Sequence, residues 1–256
     1  MKPARLYLWD DRFLWVSHSF KGQMTRRYAT NVILSISEKP FLLRLPRNAE
    51  KPCRAALCSS RALRCVDATD TPFLSFNLDP GSADARSLEG LADGQAVIPL
   101  CRDQLAGIDQ DFRALLHGER SAAQARKIGD RIIRALAGPR PPQPPLDPRI
   151  QKVLQYLRAQ RPTDIDLDTL ARLANLSASR LMHLFLQQMG LPMSQFLLWA
   201  KMRRAVALMQ GTLSLTEVAQ ACGFADSSHL TRTFKAFYGI KPSVLANSSY
   251  VQLIVC

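Results

Sequence analysis

Between Asp168 and Lys241 the chain writes one pattern twice, and this repeat limits the fold more than any other feature. Ala171-Arg-Leu-Ala-Asn175-Leu-Ser-Ala-Ser-Arg-Leu181-Met-His-Leu-Phe185 runs in step with Ala219-Gln-Ala-Cys-Gly223-Phe-Ala-Asp-Ser-Ser-His-Leu230-Thr-Arg-Thr-Phe234. Each copy has a short amphipathic helix ending in Asn or Gly, a polar stretch able to cap a new helix, and a second helix closing on Phe. The offset is 48 residues across the first helices and 49 at the Phe, so the second turn has gained one residue. Self-similarity at this period marks two copies of one helix-turn-helix unit.

The local signals around the repeat agree with it. Pro148 to Gln160 carries Ile150, Val153, Leu154 and Leu157 on one helical face, with the proline suited to the first turn. Asp166 or Asp168 caps the next helix, and Asn175 stands where Gly223 stands in the second copy; both tolerate the left-handed backbone of a tight turn. Ser177 is a good N-cap for a helix from Ala178 to Met189, and Pro192 opens a longer one to about Gln210. Ser214-Leu-Thr-Glu217 is a capping box, and Asp226 caps the last helix of the pair. Leu181, Leu184 and Phe185, and in the second copy Leu230, Phe234 and Phe237, form the inward stripes. This leaves Ser179, Arg180, Met182 and His183 outward or flanking in the first unit, and Ser227, Ser228, His229 and Arg232 near the exposed half of the second. Lys201, Arg203 and Arg204 on the long helix suit either phosphate or solvent and acidic partners.

The net charge of +13 is shared by both halves of the 256-residue chain; residues 169–256 carry eight Lys and Arg against Glu217 and Asp226. Such a surplus fits a nucleic-acid partner or a solvated surface. No run approaches the roughly 20 apolar residues of a membrane span. Asp10 and Asp11 interrupt the first apolar stretch before a signal-peptide core could form, so the cytoplasm is the expected place. The six cysteines show no paired framework; Cys53, Cys58 and Cys65 read as small packing residues rather than a zinc or redox motif.

The first hundred residues read as β-rich. Leu6 to Trp9, Phe13 to Val16, Asn31 to Ser37, Phe41 to Leu45, Ala55 to Cys58, Leu63 to Val66, Phe73 to Leu78 and Gln95 to Leu100 are short apolar or alternating segments separated by turn formers. Many short strands predict a sandwich or small barrel. Ile108, Phe112 and Leu115/Leu116, then Ile128, Ile132, Ile133 and Leu136, change to helical spacing, giving two amphipathic helices split near His117-Gly118. Their apolar faces close either on the barrel or between subunits. Six prolines within Gly138–Pro148 make a stiff interdomain linker. Arg26, Arg27, Arg44, Arg47, Arg54, Arg61 and Arg64 are surface residues or, if they line the barrel mouth, suited to a small anionic ligand. The chain has four histidines, His18, His117, His183 and His229, and the last two lie in the repeat, so no catalytic or metal residue and no cofactor is expected.

Gly223-Phe-Ala-Asp-Ser-Ser-His-Leu-Thr-Arg-Thr-Phe-Lys-Ala-Phe-Tyr-Gly-Ile-Lys-Pro-Ser243 resembles the signature of the AraC/XylS family of transcription regulators, and the resemblance extends from Asp147 to Leu245. It implies a seven-helix module whose two helix-turn-helix units read adjacent major-groove segments. By position, the groove-facing residues are Ser179, Met182 and His183 with Arg180 beside them, then Ser227, Ser228, His229 and Arg232. Arg232 suits a guanine contact, Met182 can touch a thymine methyl, and Lys235 and Lys241 suit phosphates. The β-rich region resembles the degenerate cupin-type sensor domain that precedes such modules. The expected fold is therefore α+β: a cupin-like barrel or sandwich over 1–105, a helical segment over 106–137, a linker over 138–148, an all-α tandem helix-turn-helix domain over 149–246 and a tail over 247–256. The expected function is a cytoplasmic regulator, by family default an activator, with operator DNA and RNA polymerase as partners, a small anionic effector and a homodimer as further possibilities, and no membrane. The alternatives are a regulator receiving a protein at its N-terminal domain, or a cupin-type metalloenzyme fused to a DNA-binding module.

Overall fold

A computed structural model describes residues 3–47, 50–60, 62–138, 145–159, 165–209 and 211–256. The elements in chain order are β1 (Ala4–Leu8), β2 (Arg12–Ser17), β3 (Phe20–Lys21), β4 (Thr25–Arg26), β5 (Thr30–Ser35), β6 (Phe41–Arg44), β7 (Lys51–Cys53), β8 (Ala55–Cys58), β9 (Leu63–Ala68), β10 (Phe73–Leu78), α1 (Ala83–Ala92) and β11 (Val97–Pro99). A 3-10 turn over Arg102–Ile108 leads into α2 (Asp109–His117) and α3 (Ala122–Ala137). There follow α4 (Pro148–Ala159), α5 (Leu167–Leu173), α6 (Ala178–Met189), α7 (Met193–Leu208), α8 (Leu215–Ala221), α9 (Ser227–Tyr238), α10 (Pro242–Ala246) and β12 (Val251–Val255). The chain divides into two compact units, Met1–Pro142 with Arg232–Cys256, and Gln143–Thr231, so the division falls within α9.

The first unit is built on a seven-stranded sheet in the order β11-β8-β5-β10-β2-β1-β12, with a second sheet ordered β3-β9-β6-β7 and β4 pairing β9. Every residue of β5 and β10 is buried, as expected of strands covered on both faces. Alternation along β10 sorts its side chains: Leu74, Phe76 and Leu78 join a core with Phe112, Leu115, Ile128 and Ile132 of α2 and α3. Phe73, facing the other way, joins Ile33, Phe41, Leu43 and Ala56 in a separate cluster. The two amphipathic helices therefore spend their apolar faces on the chain's own sheet. They are split where the sequence suggests, with Gly118 left-handed at φ 78° after α2 and a Ser121–Gln124 capping box opening α3.

Arg12, buried at the start of β2, ties this layer together. Its guanidinium binds Asp11 at 2.8 Å, Asp84 of α1 at 2.8 Å and Asp130 of α3 at 2.7 Å. Burial raises the Asp11 carboxyl, but the hydrogen bonds and charges of Arg12 and Arg126 outweigh it and hold the group below the usual carboxylate range.

Two features of this unit depart from the sequence expectation. Residues 83–92, to which the sequence reading gives no element, form α1, capped by Ser82 and burying Ala85, Leu88 and Ala92. The preceding Asp79-Pro-Gly81 turn signal and the few apolar positions hid its period. Residues 247–256 are not a tail: β12 pairs in parallel with β1 from Ala4↔Val251 to Leu8↔Val255 and so completes the edge of the seven-stranded sheet. Such pairing joins the two ends of the chain, a long-range contact that no local pattern announces. The last turn of α9 belongs to this unit as well: Tyr238 meets Phe13 edge-on at 6.3 Å and Phe237 meets Tyr28 at 5.0 Å. The 149–246 boundary expected for the helical domain thus cuts differently from the packing, because Phe237, buried, and Tyr238, half-buried, meet aromatic residues of the N-terminal unit. Of the expected 138–148 linker, residues 139–144 lie outside the described residues, Gly138 ends α3 and Pro148 begins α4.

The second unit is all helical. Asp166 caps α5 by accepting from the Thr169 N–H, and Ser177 caps α6 by accepting from the Arg180 N–H. Ile150, Leu170, Leu181, Phe185, Trp199 and Met202 are each at most 1% exposed and form its core. Among the described residues of the chain, no helix is long and apolar enough to cross a membrane.

Candidate nucleic-acid interface

Both turns of the repeat take the geometry that the sequence pattern requires. Asn175 adopts φ 52° and Gly223 φ 71°, the left-handed step that ends the first helix and turns the chain into the second. Ser214 and Glu217 cap each other's end of α8, and burial is outweighed by those hydrogen bonds, which lower the Glu217 carboxyl. Asp226 accepts from the His229 N–H at 2.6 Å, closing the first turn of α9.

In the first unit α6 buries Leu181, Leu184, Phe185 and Met189. Ser179, Arg180, Met182 and His183 are all exposed on its other side. In the second, Leu230 and Phe234 of α9 are buried while Ser228, His229, Arg232 and Lys235 are exposed and Ser227 is half-buried. Lys241, at the start of α10, is exposed as well. The ten residues singled out in the sequence therefore fall into a set on the N-terminal part of α6 and a set along α9 with the step beyond it. His229 rests its ring edge-on against Phe224 at 5.4 Å, which orients the imidazole without burying it.

Two details were not legible in the sequence. Leu186, one turn beyond Met182 on α6, is 43% exposed beside Met182 at 45%, so the first helix presents a short apolar strip in addition to its polar groups. Apolar side chains of this kind match thymine methyl groups rather than hydrogen-bonding edges. Lys201, which the sequence left free for phosphate, donates from Nζ to the Gly223 carbonyl at 3.0 Å and so braces the second turn. Its contact joins positions 22 residues apart, which helix periodicity alone does not reveal.

Among the described residues no three His, Cys, Asp or Glu side chains converge as metal ligands. His18 and His117 lie 6.2 Å apart, ring to ring, in the first unit. The cysteines are free, with Cys58 and Cys65 buried.

A family model described as a helix-turn-helix domain matches residues 170–248. Over 96 residues the chain is 32% identical to the HTH-type transcriptional regulator GbdR of Pseudomonas aeruginosa, a match covering 37% of this chain and 26% of that protein. Over 102 residues it is 31% identical to the arabinose operon regulatory protein of Escherichia coli K12, covering 39% of this chain and 35% of that one. These matches span about a quarter to a third of the relatives' own lengths. The crystal structure of ToxT from Vibrio cholerae O395 is similar across 91% of this chain and 95% of ToxT, with a TM-score of 0.56 at 12% identity, a likeness of fold. The repeated helix pair at residues 170–248 is thus an AraC-type helix-turn-helix domain, similar to the matched segments of these transcriptional regulators.

Proposed function

We propose that this protein is a sequence-specific, DNA-binding transcription regulator that inserts α6 and α9 into adjacent major-groove segments. The observation that carries the reading is the pair of capped helices, each exposing polar and basic side chains at corresponding positions. The 16 residues of α7 between the two turns span roughly 24 Å at about 1.5 Å per residue. That rod is about 10 Å shorter than the spacing of about 34 Å between groove openings on one face of B-DNA, a difference comparable to the diameter of the helices carried at its ends. The half-sites are read unequally: α6 offers Ser179, His183 and an apolar strip, and α9 offers Arg232, whose guanidinium matches guanine bidentately. Lys235 and Lys241 hold phosphates and add affinity without specificity.

The N-terminal domain receives a small effector, and occupancy biases two states that differ in operator affinity. Activation through RNA polymerase follows the family default; a homodimer would double the number of reading helices. The site of action is the cytoplasm, with the DNA. Mapping bound DNA across the genome and then measuring binding to a recovered operator tests the reading. Arg232→Ala is expected to lose about 1 to 3 kcal/mol on the operator and much less on bulk DNA. Equal losses on both would remove Arg232 from base recognition.

A further inference from the structure

Among the described residues of the N-terminal unit, two cations, the buried Arg64 and the half-buried Arg27, have no anionic partner. Arg64 of β9 is 2% exposed, and its guanidinium donates to the Ala62 carbonyl at 3.0 Å and to Asn31 Oδ1 at 2.9 Å. Arg27, just after β4, reaches Ser75 Oγ at 3.5 Å, Asn77 Oδ1 at 3.4 Å and the Tyr238 carbonyl at 3.4 Å. Its Nε is buried with no acceptor. All of these acceptors are neutral, and those on Arg27 are at the long limit of hydrogen bonding. Among the described residues neither guanidinium has a carboxylate partner, whereas Arg12, Arg54, Arg102, Arg120, Arg126 and Arg131 each do. Burial, and then the Arg64 charge, push the Arg27 pKa down to about 10. Buried charge without a counter-charge is costly enough that proteins seldom keep it unpaired.

The surrounding network is short of acceptors. Ser75 Oγ is the target of Arg27, of Asn31 Nδ2 at 2.9 Å and of Asn77 Nδ2 at 3.1 Å, three donors on one hydroxyl with two lone pairs. The pairing register sets Trp15 and Ile33 on either side of Ser75, on the same face, and Trp15 Nε1 is a further buried donor without an acceptor. Ile33 and Phe73 continue that face as apolar surface, with Trp15 and Phe20 packed against it. Surplus donors and two positive charges call for an oxyanion, and the apolar residues alongside call for an organic body attached to it.

We propose that Arg27 and Arg64 form the cationic end of a binding site inside the N-terminal barrel for the carboxylate of a small organic acid. This deepens the effector reading above and rests on it. Bound there, the carboxylate supplies the missing acceptor to Arg27 Nε and neutralises the like-charge pair. It also draws on the guanidinium that now reaches the Tyr238 carbonyl at the end of α9, so occupancy bears on the seat of the second reading helix.

The test is thermal unfolding of the full chain at constant ionic strength with hexanoate, benzoate or inorganic phosphate, for the wild type, Arg27→Met, Arg64→Met and the exposed control Arg26→Met. A saturable rise in Tm with at least one of the acids is expected for the wild type and for Arg26→Met, with phosphate weaker. Arg27→Met and Arg64→Met are expected to bind at least tenfold more weakly, while their Tm without acid stays level or rises because an uncompensated cation is gone. Arg27→Lys and Arg64→Lys, which keep the charge, are expected to respond at reduced affinity, which guards against a methionine variant that misfolds. No saturable rise with either acid, an unchanged response in both methionine variants, or phosphate matching the acids would overturn the proposal. Operator binding by the same samples separates the two readings: intact operator binding without an acid response refutes this site alone. An acid response without operator binding supports the site and refutes the regulator reading.

Discussion

Replacing Arg12 by Met tests how the helical layer of the N-terminal unit is held. The wild-type guanidinium has a side-chain exposure of 5% and faces three carboxylates with exposures of 29% (Asp11), 37% (Asp84) and 44% (Asp130). Removing one partner of a buried ion pair costs about 3 to 5 kcal/mol. Because Asp84 and Asp130 can recover water, the lower end applies, and the expected loss is about 3 kcal/mol at neutral pH. At about 2 to 4 °C per kcal/mol for a domain of this size, Tm falls by roughly 6 to 12 °C. The pH dependence carries the sign. In the wild type, Asp11 has a lowered folded pKa, so its contribution is present above the unfolded value of 3.8 and is lost as pH falls through the folded pKa. Without Arg12, Asp11 keeps only the hydrogen bonds and charge of Arg126 to set against burial, so its carboxyl is lowered less. Stability of the variant then gains less than that of the wild type as pH rises through the carboxylate range. The gap between the two proteins is therefore expected to be widest near pH 7 and to narrow toward pH 3 to 4. Calorimetric or circular-dichroism melts from pH 3 to 8 read both quantities. A Tm loss under about 2 °C, or a gap that stays constant across this range, would refute the account.

Gly129 of α3 lies so close to β10 that a Cβ there would stand 2.8 Å from the Phe76 ring. Gly129→Ala gains about 1 kcal/mol of helix propensity but loses about 1 to 3 kcal/mol to overpacking, so a net loss is expected in chemical denaturation. In a Phe76→Leu background the same change should turn neutral or stabilising; a loss of equal size in both backgrounds would place the cost elsewhere. Lys235→Ala and Lys241→Ala should each weaken operator and bulk DNA alike and lower the salt slope of log K by about 1, as read by fluorescence anisotropy from 50 to 200 mM salt. An unchanged slope would show that these ammonium groups do not meet phosphates.

The helix-turn-helix module was readable because its determinants are local. Asp166, Ser177 and Asp226 cap helices one to three residues away, and Asn175 and Gly223 need only their own backbone freedom. Strands such as Ala55–Cys58 and Phe73–Leu78 were likewise marked by continuous apolar runs between turn formers. From the same patterns the outward positions on α6 and α9 followed directly.

What the tertiary structure decided is everything that depends on distant partners. Apolar periodicity says that α2 and α3 must bury a face; packing against Phe76 and its neighbours says which surface receives it. The pairing of β12 with β1, the seating of Tyr238 against Phe13 and the bracing of Gly223 by Lys201 join residues far apart in the chain, where a sequence pattern carries no register. Arg27 and Arg64 stand among seven arginines that the sequence could only rank alike. Their meaning lies in what surrounds them: charge is written in the residue type, but whether it is compensated is set by the fold, which here brings two guanidiniums to Asn31, Ser75 and Asn77 without a carboxylate.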